Sequence, residues 1–402
     1  MGVLVSTRAE TLSGAQTGRP REAMVADSAW RVPLQAWLAS RGLIVVFALV
    51  TGVLVPSSDR GLDPSVPSAL APLGAWDTGW YLDVARYGYS VDYGQVGLVE
   101  TNLAFFPGLP MLMAGALTLG LNPFAVSFAV ANLAFLGSLM GLHSLTATLW
   151  NRRLADRAVW CLALFPPSIF ASLAYTEGLT LALVIGAALA AVRRNPLLAG
   201  VLAAGATMMR PTGVLVALLV ALLLMREPGP GRLKGIVLGV GPAFVALIAF
   251  MVWMQLARGS ATLPIEAQAA WDRGPLVTGL VTHLPGELAS FAVEFASLDF
   301  SHEWTRVIRD VGFFGLYALL LGLLISNYGW RSPWVIYALL VLALPISSGS
   351  FVSMARLGLL AFPLMWPLAE WLERDHRRIR PAATLAVLFI AMGVLQLAVR
   401  SP

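Results

Sequence analysis

The sequence is short of charge. Asp, Glu, Lys and Arg together make up 12% of its 402 residues, about half the share of a soluble domain. Cysteine occurs once, at Cys161, so no intramolecular disulfide can form. Four histidines are scattered along the chain, and no compact His/Asp cluster has the spacing of a metal site. Lysine is nearly missing as well: Lys234 stands alone among 27 basic residues. The pI near 9.7 therefore comes from arginines in short groups between apolar runs. The positive-inside rule accounts for that pattern better than nucleic-acid binding, which needs a clustered basic face.

What is present is hydrocarbon. Hydrophobic residues reach 58% and mean hydropathy is +0.75, which predicts an all-α polytopic membrane protein. Residues 1–33 show no apolar period and read as a disordered cytoplasmic tail; residues 34–402 form the membrane domain. Successive apolar segments predict about eleven spans of about 20 residues each. Leu34–Val55 is the first, Ala158–Ala174 runs outward, Leu357–Leu372 returns, and Pro381–Val399 is last. Two outer loops stand out: residues 56–121 and residues 258–310. A loop as long as the second is usually functional. Within the first, Phe105–Leu121 contains Pro107 and Pro110. It is too short to cross, and crossing would put Arg152 and Arg153 outside, so an interfacial or re-entrant helix is expected. Arginine-rich, lysine-poor usage points to a GC-rich bacterium, hence to its plasma membrane.

One stretch departs from the hydrocarbon pattern. Ala75–Tyr89 packs two acids, one arginine and five aromatics. Asp77 to Tyr87 reads as a short helix, with Asp77 as N-cap and Gly88 just past its end. Aromatics at that density suit the headgroup layer. The predicted topology gathers Asp77, Glu177, Arg210, Gln268, His302, Glu303 and Arg356 on the outer side. Ionisable groups at that depth usually face a protein-lined cavity. Two arginines beside two acids suit gripping an anionic headgroup and acid–base chemistry.

Six motifs then carry a resemblance. They are Trp76-Asp77 with Tyr81, Ala85 and Gly88-Tyr89; Phe105-Phe106-Pro107-Gly108-Leu109-Pro110; and Phe165-Pro166-Pro167-Ser168 through Tyr175-Thr176-Glu177. Arg210-Pro211-Thr212-Gly213, Gln268-Ala269-Ala270-Trp271 and Ser353-Met354-Ala355-Arg356 follow. In this order they resemble the GT-C glycosyltransferases, and among them the PIG-V-like mannosyltransferases. The chain differs from the usual pattern at Leu109, where tyrosine is common, at Thr212, where asparagine is common, and around Arg356, where Ala355 and Leu357 replace Pro and Tyr.

The resemblance implies a GT-C-type helix bundle and inverting transfer of mannose from a polyprenyl-phosphate donor to a hydroxyl of a glycolipid or other glycoconjugate on the outer face. It implies Asp77 as catalytic base and Trp76, Tyr81, Glu177, Arg210, Gln268, Trp271 and Arg356 as substrate-binding residues. No cofactor is implied, because a lipid-phosphate leaving group lessens the need for a metal. The partners implied are the lipid donor, the acceptor and the surrounding membrane lipids. Two alternatives stay open: a GT-C enzyme using another lipid-linked sugar, such as glucose or arabinose, and a non-enzymatic lipid transporter.

Overall fold

A computed structural model describes residues 30–54, 63–226, 231–271, 273, 278–282, 285–286, 288–289, 293, 302–351, 353–374 and 379–398. The expected tail, up to residue 29, lies outside the described residues, as does much of the second outer loop. Every regular element among the described residues is helical.

Four helices are long and apolar enough to cross a membrane: Arg31–Val53, Pro123–Leu149, Arg232–Arg258 and Arg309–Tyr328. Six more apolar helices are shorter, among them Glu177–Val192, Pro196–Met209 and Pro333–Ser347. Several segments expected as plain spans are broken. Arg152–Leu164 is capped by Asn151, whose side chain accepts from the Leu154 N–H at 2.9 Å. It then gives way to a 3-10 turn over Pro166–Ser172, bent by 74°. Pro166 and Pro167 lack the N–H that a continuing helix needs. Leu357–Leu372 was expected as one returning span. Instead it is a single turn at Met354–Leu357, two 3-10 turns, and a helix over Met365–Arg374, with Pro363 and Pro367 at the interruption. Its residues up to Pro367 are buried, and irregular backbone is tolerated at membrane depth when protein surrounds it.

The Gly108–Thr118 helix has 11 residues, a rise of about 16 Å against a hydrocarbon core of about 30 Å. The last long helix begins earlier than expected. It runs unbroken from His302 to Tyr328, so Asp310 belongs to a helix and not to the end of a loop.

Two cores matter for the site. A large one joins Phe135, Leu139, Leu162, Phe165, Trp334, Phe362 and Trp366. A second, reached by the Asp77 helix, joins Ile44, Tyr81, Leu82, Phe105, Phe170, Tyr175 and Ala355. The polar cluster sits at the edge of this second core.

Candidate active site

The Asp77–Tyr87 helix forms where the sequence predicts it, and Gly88 closes it at φ +75° with its N–H on the Val84 carbonyl. Its start differs from expectation. The cap position is Trp76, and Asp77 is the first helical residue. Trp76 adopts φ +55°, a region costly for a bulky side chain. That kink turns the Asp77 carboxylate inward, away from the capping position. The Asp77 N–H meets the Tyr175 hydroxyl at 3.3 Å, and that hydroxyl donates to the Ala75 carbonyl at 3.2 Å.

Glu177 is the first residue of the Glu177–Val192 helix and is 1% exposed. Gly178 lets that helix end approach its neighbour, since a Cβ there would meet the Ala131 carbonyl oxygen at 2.5 Å. Arg210 occupies the break between two helices. It precedes a proline and is extended, at φ −167° and ψ 157°, as residues before proline prefer. Gly213 lets the chain fold back, because a Cβ there would lie 2.0 Å from the Ala206 carbonyl oxygen.

Arg356 is carried on a buried turn. Ser353 adopts the left-handed conformation at φ +64°, and Asp310 secures it by accepting from the Ser353 N–H at 3.2 Å and the Ala355 N–H at 3.0 Å. The Tyr317 hydroxyl donates to the Ala355 carbonyl at 2.8 Å. Ser353 opens a motif singled out from the sequence, but Asp310 was not anticipated. An acid in an amphipathic stretch gives no sign that it caps a turn 43 residues downstream.

Four distant segments thus meet in one ionic chain. Arg356 Nη1 donates to Asp77 Oδ2. Arg356 Nε lies 3.4 Å from Glu177 Oε1, and Arg210 Nη1 donates to the same oxygen at 2.9 Å. Asp77 is 8% exposed and Arg356 9%. The Arg356 guanidinium stands 5.5 Å from the Tyr175 ring centroid. The chain is incompletely satisfied: among the described residues, Glu177 Oε2 and Arg356 Nε find no hydrogen-bond partner. Unmet buried polar atoms in a native protein call for an explanation.

The remaining expected residues surround this chain. Tyr81 is buried, with its hydroxyl 3.5 Å from Thr176 Oγ1 and its ring 5.0 Å from Phe105. Burial, with the Asp77 and Glu177 carboxylates nearby, pushes its phenol above the usual range. Trp76 is half-buried against the second core. Trp271 meets Trp80 and Phe105 edge-on at 5.7 and 5.5 Å, and its Nε1–H is buried without an acceptor. Gln268 donates to the Ala104 and Pro264 carbonyls at 3.0 and 3.4 Å. His302 and Glu303 begin a helix, and their side chains lie outside what is described.

Sequence reasoning missed Arg273. Its Nη1 donates to Gln268 Oε1 at 2.6 Å. Burial, then the positive charges of Arg356 and Arg210, bring its pKa down to about 10, while Asp77 and Tyr81 act in the opposite sense. The only sequence signal was its place two residues beyond the Gln268–Trp271 motif. Asp83, the second acid of the Ala75–Tyr89 stretch, accepts instead from Asn102 Nδ2 at 2.6 Å. His143 pairs with Asp156 at 2.9 Å. Among the described residues, no group of three His, Cys, Asp or Glu side chains could hold a metal.

No protein-family model and no curated protein matches this sequence. Solved structures similar to it include the oligosaccharyltransferase of Archaeoglobus fulgidus in its apo form, at TM-score 0.42 and 13% identity, over 90% of this chain and 56% of that one. The same enzyme tethered to an acceptor peptide matches at TM-score 0.42 and 13% identity, over 90% and 55% of the two chains. Its complex with an inhibitory peptide and a dolichol-phosphate matches at 0.39 and 11%, over 89% and 55%. The chain therefore spans about half the length of these neighbours. Likeness at this level carries no argument about function, which rests on the residues.

Proposed function

We propose that the chain is an inverting GT-C-type glycosyltransferase of the PIG-V-like kind. It moves a mannosyl residue from a polyprenyl-phosphate donor to an acceptor hydroxyl of a glycolipid or other glycoconjugate. It acts at the outer face of a bacterial plasma membrane, within a bundle of about eleven crossings. One observation carries the reading: Asp77, Glu177, Arg210 and Arg356 come from four distant motifs and converge in one largely buried ionic chain.

The arrangement suits displacement at an anomeric carbon. The acceptor oxygen forms a bond to that carbon as the bond to the phosphate oxygen breaks on the opposite face, so configuration inverts. The acceptor proton passes to the Asp77 carboxylate. The phosphodiester leaves as a monoester with one more negative charge, which guanidinium groups offset in a water-poor site. Glu177 Oε2 and the Trp271 Nε1–H offer an acceptor and a donor with no protein partner among the described residues, complementary to sugar hydroxyls. Trp76, Tyr81 and Gln268 complete the wall around the donor.

The test is transfer by purified full-length protein, given polyprenyl-phosphate mannose labelled in the sugar and a membrane lipid extract as acceptor, with glucosyl and arabinosyl donors in parallel. Label appearing in a new glycolipid from the mannosyl donor supports the reading. Preference for another sugar corrects the donor. Transbilayer movement of lipid with no transfer of label from any donor rejects it in favour of a transporter.

A further inference from the structure

Three guanidinium groups converge on the site, and two of them are already neutralised. Arg356 is held by Asp77 and Glu177, and Arg210 by Glu177. Arg273 has no carboxylate partner among the described residues; it donates to the neutral side-chain oxygen of Gln268. The orientation of that amide is set from the other side. Gln268 Nε2 donates to two carbonyls, so the oxygen, which can only accept, faces Arg273. Among the described residues, Arg210, Arg273 and Arg356 stand against Asp77 and Glu177, three cations to two anions.

A cation held near two others by a neutral amide is not there for stability. Its neighbours repel it, and a surface rotamer would avoid that cost. The Arg273 side chain is half-buried, whereas Asp77, Glu177 and Arg356 are buried.

Resting on the glycosyltransferase reading, we propose that Arg273 is the cation on which the donor's phosphodiester docks, presented by Gln268 as a positioning residue, while Arg356 remains committed to Asp77 until the acceptor proton is transferred. A phosphodiester carries one negative charge and cancels the one in excess. As transfer proceeds, Asp77 gains a proton and loses its hold on Arg356 just when the phosphate gains its second charge. Arg356 then passes from the one to the other with no net change of charge in the site. The two arginines therefore divide the work, Arg273 for binding and Arg356 for the chemical step.

The experiment measures affinity of the detergent-purified full chain for undecaprenyl phosphate, a lipid phosphate without sugar, beside steady-state transfer from polyprenyl-phosphate mannose. Arg273→Gln is expected to weaken undecaprenyl phosphate binding and raise KM by about ten- to hundredfold, the usual worth of a charge-assisted contact. Its kcat is expected to stay within about threefold, since KM rises alone when binding common to ground and transition state is lost. Arg273→Lys keeps the charge without the fork and should recover part of the affinity. Gln268→Glu supplies an internal anion for Arg273 and should weaken lipid-phosphate binding, with some loss of thermal stability because its second carboxylate oxygen cannot donate to the Ala104 and Pro264 carbonyls. Wild-type affinity in Arg273→Gln overturns the proposal, as does a fall in its kcat with affinity intact. Wild-type protein that fails to bind undecaprenyl phosphate overturns it too. If Arg273→Gln unfolds, Gln268→Glu decides on the same two readings. Wild-type protein that binds the lipid phosphate through Arg273 but transfers no sugar rejects the enzymatic reading and leaves the phosphate site standing.

Discussion

Two buried arginines in this molecule are held in opposite ways. Arg41, 4% exposed inside the Arg31–Leu54 helix, is surrounded by neutral acceptors. Its Nη1 donates to the Ser168 carbonyl at 2.8 Å and to Ser172 Oγ at 2.9 Å. Its Nη2 donates to the Ala163 carbonyl at 3.2 Å and to Ser168 Oγ at 2.9 Å, and its Nε to Ser40 Oγ at 3.2 Å. The Phe135 ring lies 4.2 Å from the guanidinium. Five donors thus meet five acceptors, which is the full capacity of the side chain. Arg356 is held by two carboxylates and keeps an Nε without a hydrogen bond. A fully satisfied cation fixes structure: it ties the end of the Arg152–Leu164 helix and the following 3-10 turn to the first helix. A cation held by opposite charge with a valence open can change partners when another anion arrives. Both guanidinium groups are buried; what differs is that every Arg41 donor is met, whereas among the described residues Arg356 Nε is not.

The largest effect that separates the two regions is expected at Asp77. Asp77→Asn keeps the shape of the side chain and removes its ability to take a proton. Turnover should fall by roughly two to four orders of magnitude, the usual contribution of a general base, with a moderate loss of thermal stability because the buried Arg356 loses one of its two carboxylate partners. Near-normal transfer by purified Asp77→Asn would remove the residue from that role and leave the ionic chain as structure.

Arg41→Leu should do the reverse. It takes the Arg41 donor from the Ser168 carbonyl and from the Ser168 and Ser172 hydroxyls, while the Ala163 carbonyl keeps the Ser168 hydroxyl, at roughly 2–5 kcal/mol of stability for the set. The melting temperature and the yield of monodisperse protein should drop, while the folded fraction turns over at the normal rate. A folded, stable, inactive Arg41→Leu would break the division between the two arginines.

Asp310→Asn tests how far the active region depends on its support. The amide oxygen can still accept from one of the Ser353 and Ala355 N–H groups, but the other faces the new NH2 and the Arg309 ion pair is lost, at about 1–2 kcal/mol. A looser turn should lower kcat about tenfold through misplacement of Arg356, with undecaprenyl phosphate affinity unchanged because Arg273 sits on another segment. A change in affinity without a change in kcat would show that Arg356, and not Arg273, meets the phosphate first.

Physical reasons decide which of these features could be read from the sequence. The Asp77–Tyr87 helix was legible because its pattern is local: helical spacing and a glycine at its end. The convergence of Asp77, Glu177, Arg210 and Arg356 was anticipated only as far as one membrane side, since charges are too costly to scatter in hydrocarbon. Which acid meets which arginine depends on packing between segments as far apart as residues 77 and 356. Trp76 as the cap position was invisible, because no propensity favours a bulky residue at positive φ. The breaks at Phe165 and within Leu357–Leu372 were missed for another reason. Hydropathy counts apolar residues and is blind to helix continuity, although Pro166, Pro167, Pro363 and Pro367 stood in plain view. Arg273 looked like an ordinary loop cation, and only the fold shows that no acid answers it among the described residues.

The smallest expected effect sharpens the comparison within a single helix. Asp83 lies six residues after Asp77 in the same aromatic-rich stretch, and composition alone treats the two alike. Asp83, however, is engaged by a structural partner. It accepts from Asn102 Nδ2 at 2.6 Å, and Asn102 also reaches the Gly88 carbonyl at 3.1 Å and the Ser90 N–H at 3.1 Å. This knot pins the helix end to the chain leading into the Phe105–Pro110 motif. Asp83→Asn exchanges a charge-assisted hydrogen bond for a neutral one and should cost about 1 kcal/mol of stability. Transfer should remain within about threefold of wild type, because the carboxylate meets no arginine of the site. Measuring turnover of Asp83→Asn and Asp77→Asn in the same preparation isolates the partner as the variable, since residue type, helix and substitution are identical. If turnover collapses in both, the proton goes to a larger acidic network than the Asp77–Arg356 pair. If it collapses only in Asp83→Asn, the base has been assigned to the wrong acid, and the buried chain around Arg356 belongs with Arg41 to the scaffold.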